Sequence, residues 1–167
     1  MAGKIEHHAL PRASFQNEPK VLIVVAPYYQ PISENLLKGA KTEILASHGT
    51  FDIVEVPGAL EIASAIGIAE RLEKFDAYVA LGCVIRGETT HYETVCNDSS
   101  RGLTLLGLQG LCIGNGILTV ENVEQAEERA DPEKHNKGGG AAAAALHLLS
   151  LSHKWADNKK SIGFKAD

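Results

Sequence analysis

KVLIVVAPYYQPISENLLKGAKTEILASHG, residues 20–49, decides how the rest of the chain is read. Val21 to Val25 is an unbroken aliphatic run with no polar alternation, the pattern of a strand covered on both faces. After Pro27 and Pro31, Ile32, Leu36, Leu37, Ala40, Ile44 and Leu45 recur at helical spacing, and the stripe ends near Gly49. A buried strand followed at once by an amphipathic helix opens a βα unit, because a parallel neighbour can be reached only through a crossover.

Downstream the alternation repeats. A strand is expected over Phe51 to Val56, a largely apolar helix from Gly58 to Leu72, a strand over Ala77 to Val84, a helix from His91 to Leu108 and a strand from about Leu111 to Leu118. Thr119 is the expected N-cap of a short helix on which Val123, Ala126 and Ala130 share a face. A last helix follows Gly138-Gly139-Gly140 through an alanine tract to about Trp155. Four apolar strands alternating with helices predict an α/β fold, a flavodoxin-like three-layer α/β/α sandwich around a four-stranded parallel sheet. Residues 1–19 are polar, carry Pro11 and Pro19 and read as an N-terminal arm; residues 20–156 form the domain and 157–167 a C-terminal tail.

The 167 residues suit one domain with a real core, and 16 Lys and Arg against 21 Asp and Glu give a net charge of −5. Such a chain has no broad basic field for nucleic acid or an anionic membrane, so an anionic substrate must be held locally. Cys83, Cys96 and Cys112 are odd in number, sit in apolar segments and form no CxxC pair, which argues against a disulfide framework and a zinc site. With no signal-like N-terminus and no apolar run of membrane-spanning length, the expected location is the cytoplasm.

Sheets of this kind bind ligands beyond the carboxyl ends of their strands. That rule selects Ala26-Pro27-Tyr28-Tyr29, Pro57-Gly58-Ala59-Leu60-Glu61, Val84-Ile85-Arg86-Gly87-Glu88-Thr89-Thr90-His91 and the stretch after Leu111. His91 alone among the seven histidines follows a strand directly through a short turn, where helix amides meet an anion and an imidazole reaches the same pocket; otherwise it is a surface or capping histidine. Gly87 to Thr90 is no Walker loop and reads equally as a plain turn. Lys137-Gly138-Gly139-Gly140 is either a phosphate nest or a glycine-rich helix entry. Arg129 is a bidentate phosphate ligand or a solvated charge among Glu124, Glu127 and Glu128. Tyr28 and Tyr29 either stack on a planar heterocycle or cover a core edge.

Val56-Pro57-Gly58-Ala59-Leu60-Glu61-Ile62, Leu81-Gly82-Cys83-Val84-Ile85-Arg86-Gly87-Glu88-Thr89-Thr90-His91-Tyr92, Ile117 to Ala130 and Asn136-Lys137-Gly138 form four collinear blocks. Together they resemble the signatures of the 6,7-dimethyl-8-ribityllumazine synthase family, over roughly residues 20 to 155. The resemblance implies a transferase of riboflavin biosynthesis. It condenses 5-amino-6-(ribitylamino)uracil with 3,4-dihydroxy-2-butanone 4-phosphate through an imine, loss of phosphate and ring closure, with no metal and no organic cofactor.

Carried over position by position, the resemblance implies that Tyr28 stacks on the pyrimidine. The backbone of Ala59, Leu60 and Glu61 meets the ribityl chain, with the Glu61 carboxylate adding to it, and Cys83, Val84 and Ile85 bind the ring edge. The amides of Glu88 and Thr89 hold the phosphate with Arg129, His91 shuttles protons, and Lys137 approaches the ring. Tyr28 stands where many members carry Phe or Trp, Asn115 where many carry Phe, and Glu88 where Ala is common, so the Glu88 side chain is expected to point outward.

The family picture adds a homo-oligomer, a ring of five with sites at subunit interfaces, free or as a decamer rather than a 60-subunit shell. The arm adds a strand to a neighbour's sheet, and riboflavin synthase is a further partner. Two other functions compete: a non-catalytic flavin- or lumazine-binding paralogue, kept open by Asn115, and a receiver domain, disfavoured because the strand ends carry no acidic cluster.

Overall fold

The computed structural model describes residues 7–160. Within them the order is β1 (Lys20–Val25), α1 (Gln30–Ala46), β2 (Thr50–Glu55), α2 (Ala59–Leu72), β3 (Ala77–Ile85), α3 (His91–Leu108), β4 (Ile113–Val120), α4 (Val123–Ala130) and α5 (Lys137–Lys160). The four strands are all parallel in the order β2-β1-β3-β4. No described helix is long and apolar enough to cross a membrane.

β1 lies between two neighbours, and the residues from Val21 to Val25 are all at most 3% exposed. Its alternate residues feed two cores. Val21, Ile23 and Val25 pack with Ile32, Leu36, Ala40 and Ile44 of α1, and with Ala141, Ala142, Ala145 and Leu146 of α5. Leu22, Val24 and Ala26 pack with Ile62 and Ile66 of α2 and Leu103 of α3. Each fully buried aliphatic side chain contributes roughly 1.5–3 kcal/mol, so the two-faced burial of the sheet is the main source of stability. The expected three-layer sandwich is therefore present.

The alanines and glycines of the last third are explained by close approach. A Cβ on Gly114 of β4 would stand 1.8 Å from the Ala141 carbonyl oxygen, and one on Gly138 would stand 2.0 Å from the Leu36 carbonyl oxygen. α5 thus lies directly on β4 and α1, which only small residues permit. Of the two readings left open for Lys137 to Gly140, this packing supports the helix entry.

The short-helix boundary differs from the expectation. Thr119 lies inside β4, paired with Val84, and the N-cap of α4 is Asn122, whose Oδ1 accepts from the Gln125 amide at 2.9 Å. Gln125 Oε1 in turn accepts from the Glu121 amide at 2.9 Å, a reciprocal cap. β4 therefore runs from Ile113 to Val120, two residues later than expected at each end, and α5 continues to Lys160 rather than stopping near Trp155.

Residues 7–19 hold no strand. Arg12 makes a two-pronged ion pair with Glu43 at 2.9 and 3.0 Å, and Phe15 meets His153 edge-on at 5.9 Å, so this part of the arm lies along its own α1 and α5. The remainder of the expected arm, residues 1–6, and most of the expected tail, residues 161–167, lie outside the described residues.

Candidate active site

β1 leads to β2 on one side of the sheet, and the chain then crosses to β3 on the other, so the loops leaving β1 and β3 diverge and leave a crevice between them. Two backbone bonds level the floor of that crevice: Ala26 N–H donates to Leu81 O and Val56 N–H to Val25 O, each at 2.9 Å. Above it is a cavity of about 380 Å³ lined by Ala26, Tyr28 and Tyr29, by Gly58 to Glu61, by Cys83 to Ile85, and by Gly87, Thr89, His91, Tyr92 and Val95. The first three segments selected from the sequence meet here. The fourth does not.

Tyr28 stands at the lip, 74% exposed, with its ring edge-on to Tyr29 at 5.0 Å. One broad face stays open for a flat ligand. Tyr29 is tied into the core beneath α1, and burial raises its phenol pKa above the ordinary value. α2 begins at the cavity: Gly58 is its N-cap without any side-chain cap, and Glu61 lies in its first turn, favourable against the helix dipole. Cys83 is buried in the floor, and that burial pushes its thiol up to about 11. At neutral pH it is an uncharged wall, not a nucleophile.

The turn before α3 is the candidate anion-binding feature. Among the described residues, the amides of Gly87, Glu88, Thr89 and Thr90 make no hydrogen bond within the chain. The turn accepts bonds instead: His91 N–H donates to Thr89 Oγ1 at 3.4 Å and Glu93 N–H to Thr90 O at 3.1 Å. Unpaired amides at the start of an 18-residue helix form a site for a phosphate or carboxylate. Glu88 is exposed and its side chain does not line the cavity. Beside the turn, Arg86 is ion-paired with Glu93 and with Glu121, the latter at 2.8 Å, and stacks over the Tyr92 ring at 4.2 Å.

Asn115, Arg129 and Lys137 do not line this cavity. Asn115 Oδ1 accepts from the Ile117 amide at 3.0 Å and faces a second, more open cavity of about 770 Å³ between α3 and α5, with Leu108, Leu148 and Trp155. Arg129 donates to its own helix carbonyl, Gln125 O, at 3.1 Å. Lys137 begins α5. The lining of the first cavity contains neither Lys nor Arg.

The profile of the 6,7-dimethyl-8-ribityllumazine synthase family matches residues 18–153, most of the chain. The chain belongs to the lumazine synthase family. Proteins named 6,7-dimethyl-8-ribityllumazine synthase are similar to it over most of its length. One from Jannaschia sp. (strain CCS1) is 54% identical over 99% of this chain and 92% of its own. One from Bartonella tribocorum is 53% identical over 86% and 97%, and one from Novosphingobium aromaticivorans is 50% identical over 81% and 98%. The lumazine synthase match covers every candidate from Tyr28 to Lys137.

Reading this lumazine synthase family member from sequence missed Tyr92 and Val95 as cavity-lining residues. Their signal was present: Val95 lies four positions after His91 and three after Tyr92, the spacings that share one side of a helix.

Proposed function

We propose that this chain makes 6,7-dimethyl-8-ribityllumazine in the cavity at the β1/β3 crevice, and that a neighbouring copy completes the site. The pyrimidinedione lies on Tyr28, its edge toward the backbone of Cys83, Val84 and Ile85. The ribityl chain runs along Ala59, Leu60 and Glu61. The phosphate of the four-carbon ketone sits on the amides of Glu88 and Thr89. The pyrimidine's primary amine attacks the ketone carbonyl and water leaves, forming the imine; phosphate is then eliminated, and the ribitylamino nitrogen closes the ring with loss of a second water. His91, beside the turn, moves protons in these steps. The scheme calls for no metal and no organic cofactor.

The observation that carries the shared site is the missing cation. A cavity that holds the stacking ring, the free amides and the histidine, but no Lys or Arg, is incomplete for a phosphate ester. Arg129, Lys137 and Asn115 of an adjacent copy supply what is lacking. Leu108 at 80%, Trp155 at 60% and Leu148 at 41% exposure beside Asn115 support the contact, since apolar side chains clustered around a groove mark association surfaces.

The reading extends to rings of five, free or in pairs, with residues 20–156 as the catalytic unit between an arm (1–19) and a tail (157–167). Location in the cytoplasm fits the free cysteines, and riboflavin synthase is the partner that takes the product. The decisive assay mixes purified protein with both substrates and follows lumazine absorbance together with phosphate release. Stoichiometric formation of both is expected; tight binding of the pyrimidine without turnover would favour a binding protein instead.

A further inference from the structure

We propose that Arg86 is a positioning residue that clamps the phosphate turn from outside the cavity, a role that rests on the function proposed above. The turn cannot hold its own shape. Among the described residues, the amides of Gly87 to Thr90 donate to nothing, Thr89 Oγ1 and Thr90 O only accept from the start of α3, and Gly87 has open space around it. Its conformation is therefore fixed at its two ends. One end is the Arg86 amide, which donates to Val120 O at 3.0 Å and so extends the β3/β4 ladder by one bond. The other is the first turn of α3, which carries His91, Tyr92 and Glu93.

The Arg86 side chain spans these ends. Its Nη1 donates to Glu93 on α3, its Nε donates to Glu121 just past β4 at 2.8 Å, and its guanidinium carbon lies over the Tyr92 ring, which also lines the cavity. The planar fork of arginine suits such a three-way bridge, and a flexible ammonium does not. Singly each exposed pair is weak. Acting together they choose one direction for the start of α3, and with it the aim of the Glu88 and Thr89 amides and of the His91 ring. Two carboxylates already occupy the guanidinium, so Arg86 is a brace and not the phosphate's counter-ion. The hydrogen bond from Arg86 also holds the Glu93 carboxyl below its ordinary value.

The test compares Arg86→Gln, Arg86→Lys, the double variant Glu93→Gln/Glu121→Gln and the combined triple variant, each checked for assembly mass and thermal midpoint. The readouts are KM for the ketone phosphate, kcat, and the Kd of the pyrimidine alone. Arg86→Gln should raise KM for the ketone phosphate and lower kcat/KM by about ten- to a hundred-fold, the scale of a small misplacement at a reacting centre, with pyrimidine Kd unchanged. The double variant should reproduce that loss, the triple variant should add little to it, and Arg86→Lys should recover part of it.

If freeing Arg86 of its carboxylates leaves KM unchanged or lowers it, Arg86 is a direct phosphate ligand or a bystander, and the clamp is wrong. Equal weakening of both substrates would also overturn it, as a general structural effect. Should Arg86→Gln fail to assemble, Glu121→Gln alone reads the same KM shift. A wild-type protein without turnover would count against the functional reading, whereas turnover indifferent to all these variants would count against the clamp alone.

Discussion

At the scale of single residues, His91 is exposed at the start of α3, within the cavity lining and with its ring unburdened by any ion pair among the described residues. His91→Ala should lower kcat by about 10²- to 10⁴-fold, the usual contribution of a positioned proton shuttle, while calorimetry of the pyrimidine alone gives an unaltered Kd. Unchanged turnover would remove His91 from the mechanism. Arg129→Ala should raise KM for the ketone phosphate and leave pyrimidine binding nearly intact, with Arg129→Lys only partly restoring it because the fork is lost; equal losses for both substrates would mark a structural arginine.

The cysteines give a test free of substrate. Burial raises Cys83 to about 11 and also raises Cys112, so the folded state disfavours both thiolates, and that preference is lost as pH climbs through the raised values. With half-exposed Cys96 as the internal reference, a thiol reagent at pH 8 should label Cys96 first. Cys83 should gain about a hundred-fold in rate over the next two pH units, read by peptide mass spectrometry. Prompt labelling of Cys83 at pH 8 would show the floor of the cavity to be open. Most cavity residues were legible because strand ends announce themselves: a run such as Val21 to Val25 stops, and the residues just beyond it lie at the rim. Asn115, Arg129 and Lys137 carry no such signal, since they lie away from the strand ends that line this cavity.

Among the elements, the crossing of α1 and α5 is a close contact that can be tested by adding one methyl. Gly138→Ala puts a Cβ 2.0 Å from the Leu36 carbonyl, where backbone must move, so a loss of about 1–3 kcal/mol or more is expected. Gly140→Ala, on the same helix with nothing within 4 Å, should be stabilising by roughly 0.5–1 kcal/mol through helix propensity. Denaturant melts at one fixed subunit concentration separate the two; similar midpoints would mean the helices can part freely. The strand and helix order was readable from β1 outward because a doubly covered strand has no polar face to confuse it. The start of α4 was not: Thr119 and Asn122 are both good caps by residue type, and what selects Asn122 is the pairing of Thr119 with Val84 across the sheet. Likewise the tertiary purpose of Gly114 and Gly138 is invisible in a sequence, where a glycine records only permission.

For the whole molecule, each cavity is expected to draw its cations from the next subunit. Light scattering should give a mass near five chains or a multiple of five, and mixing inactive Tyr28→Ala with inactive Arg129→Ala subunits after verified exchange should regenerate activity, because some interfaces then pair an intact stacking ring with an intact arginine. Active monomers, or no recovery, would exclude the shared site. The strand order carries a last consequence, for synthesis. β1 leaves the ribosome first, yet one of its two partners is β3, with Val21 beside Ala77 and Val25 beside Leu81. The chain must wait for its middle before its centre can close, and pairings so remote in sequence form slowly. Until then the most apolar segment of the protein is bare, so its period of greatest vulnerability to aggregation falls during translation.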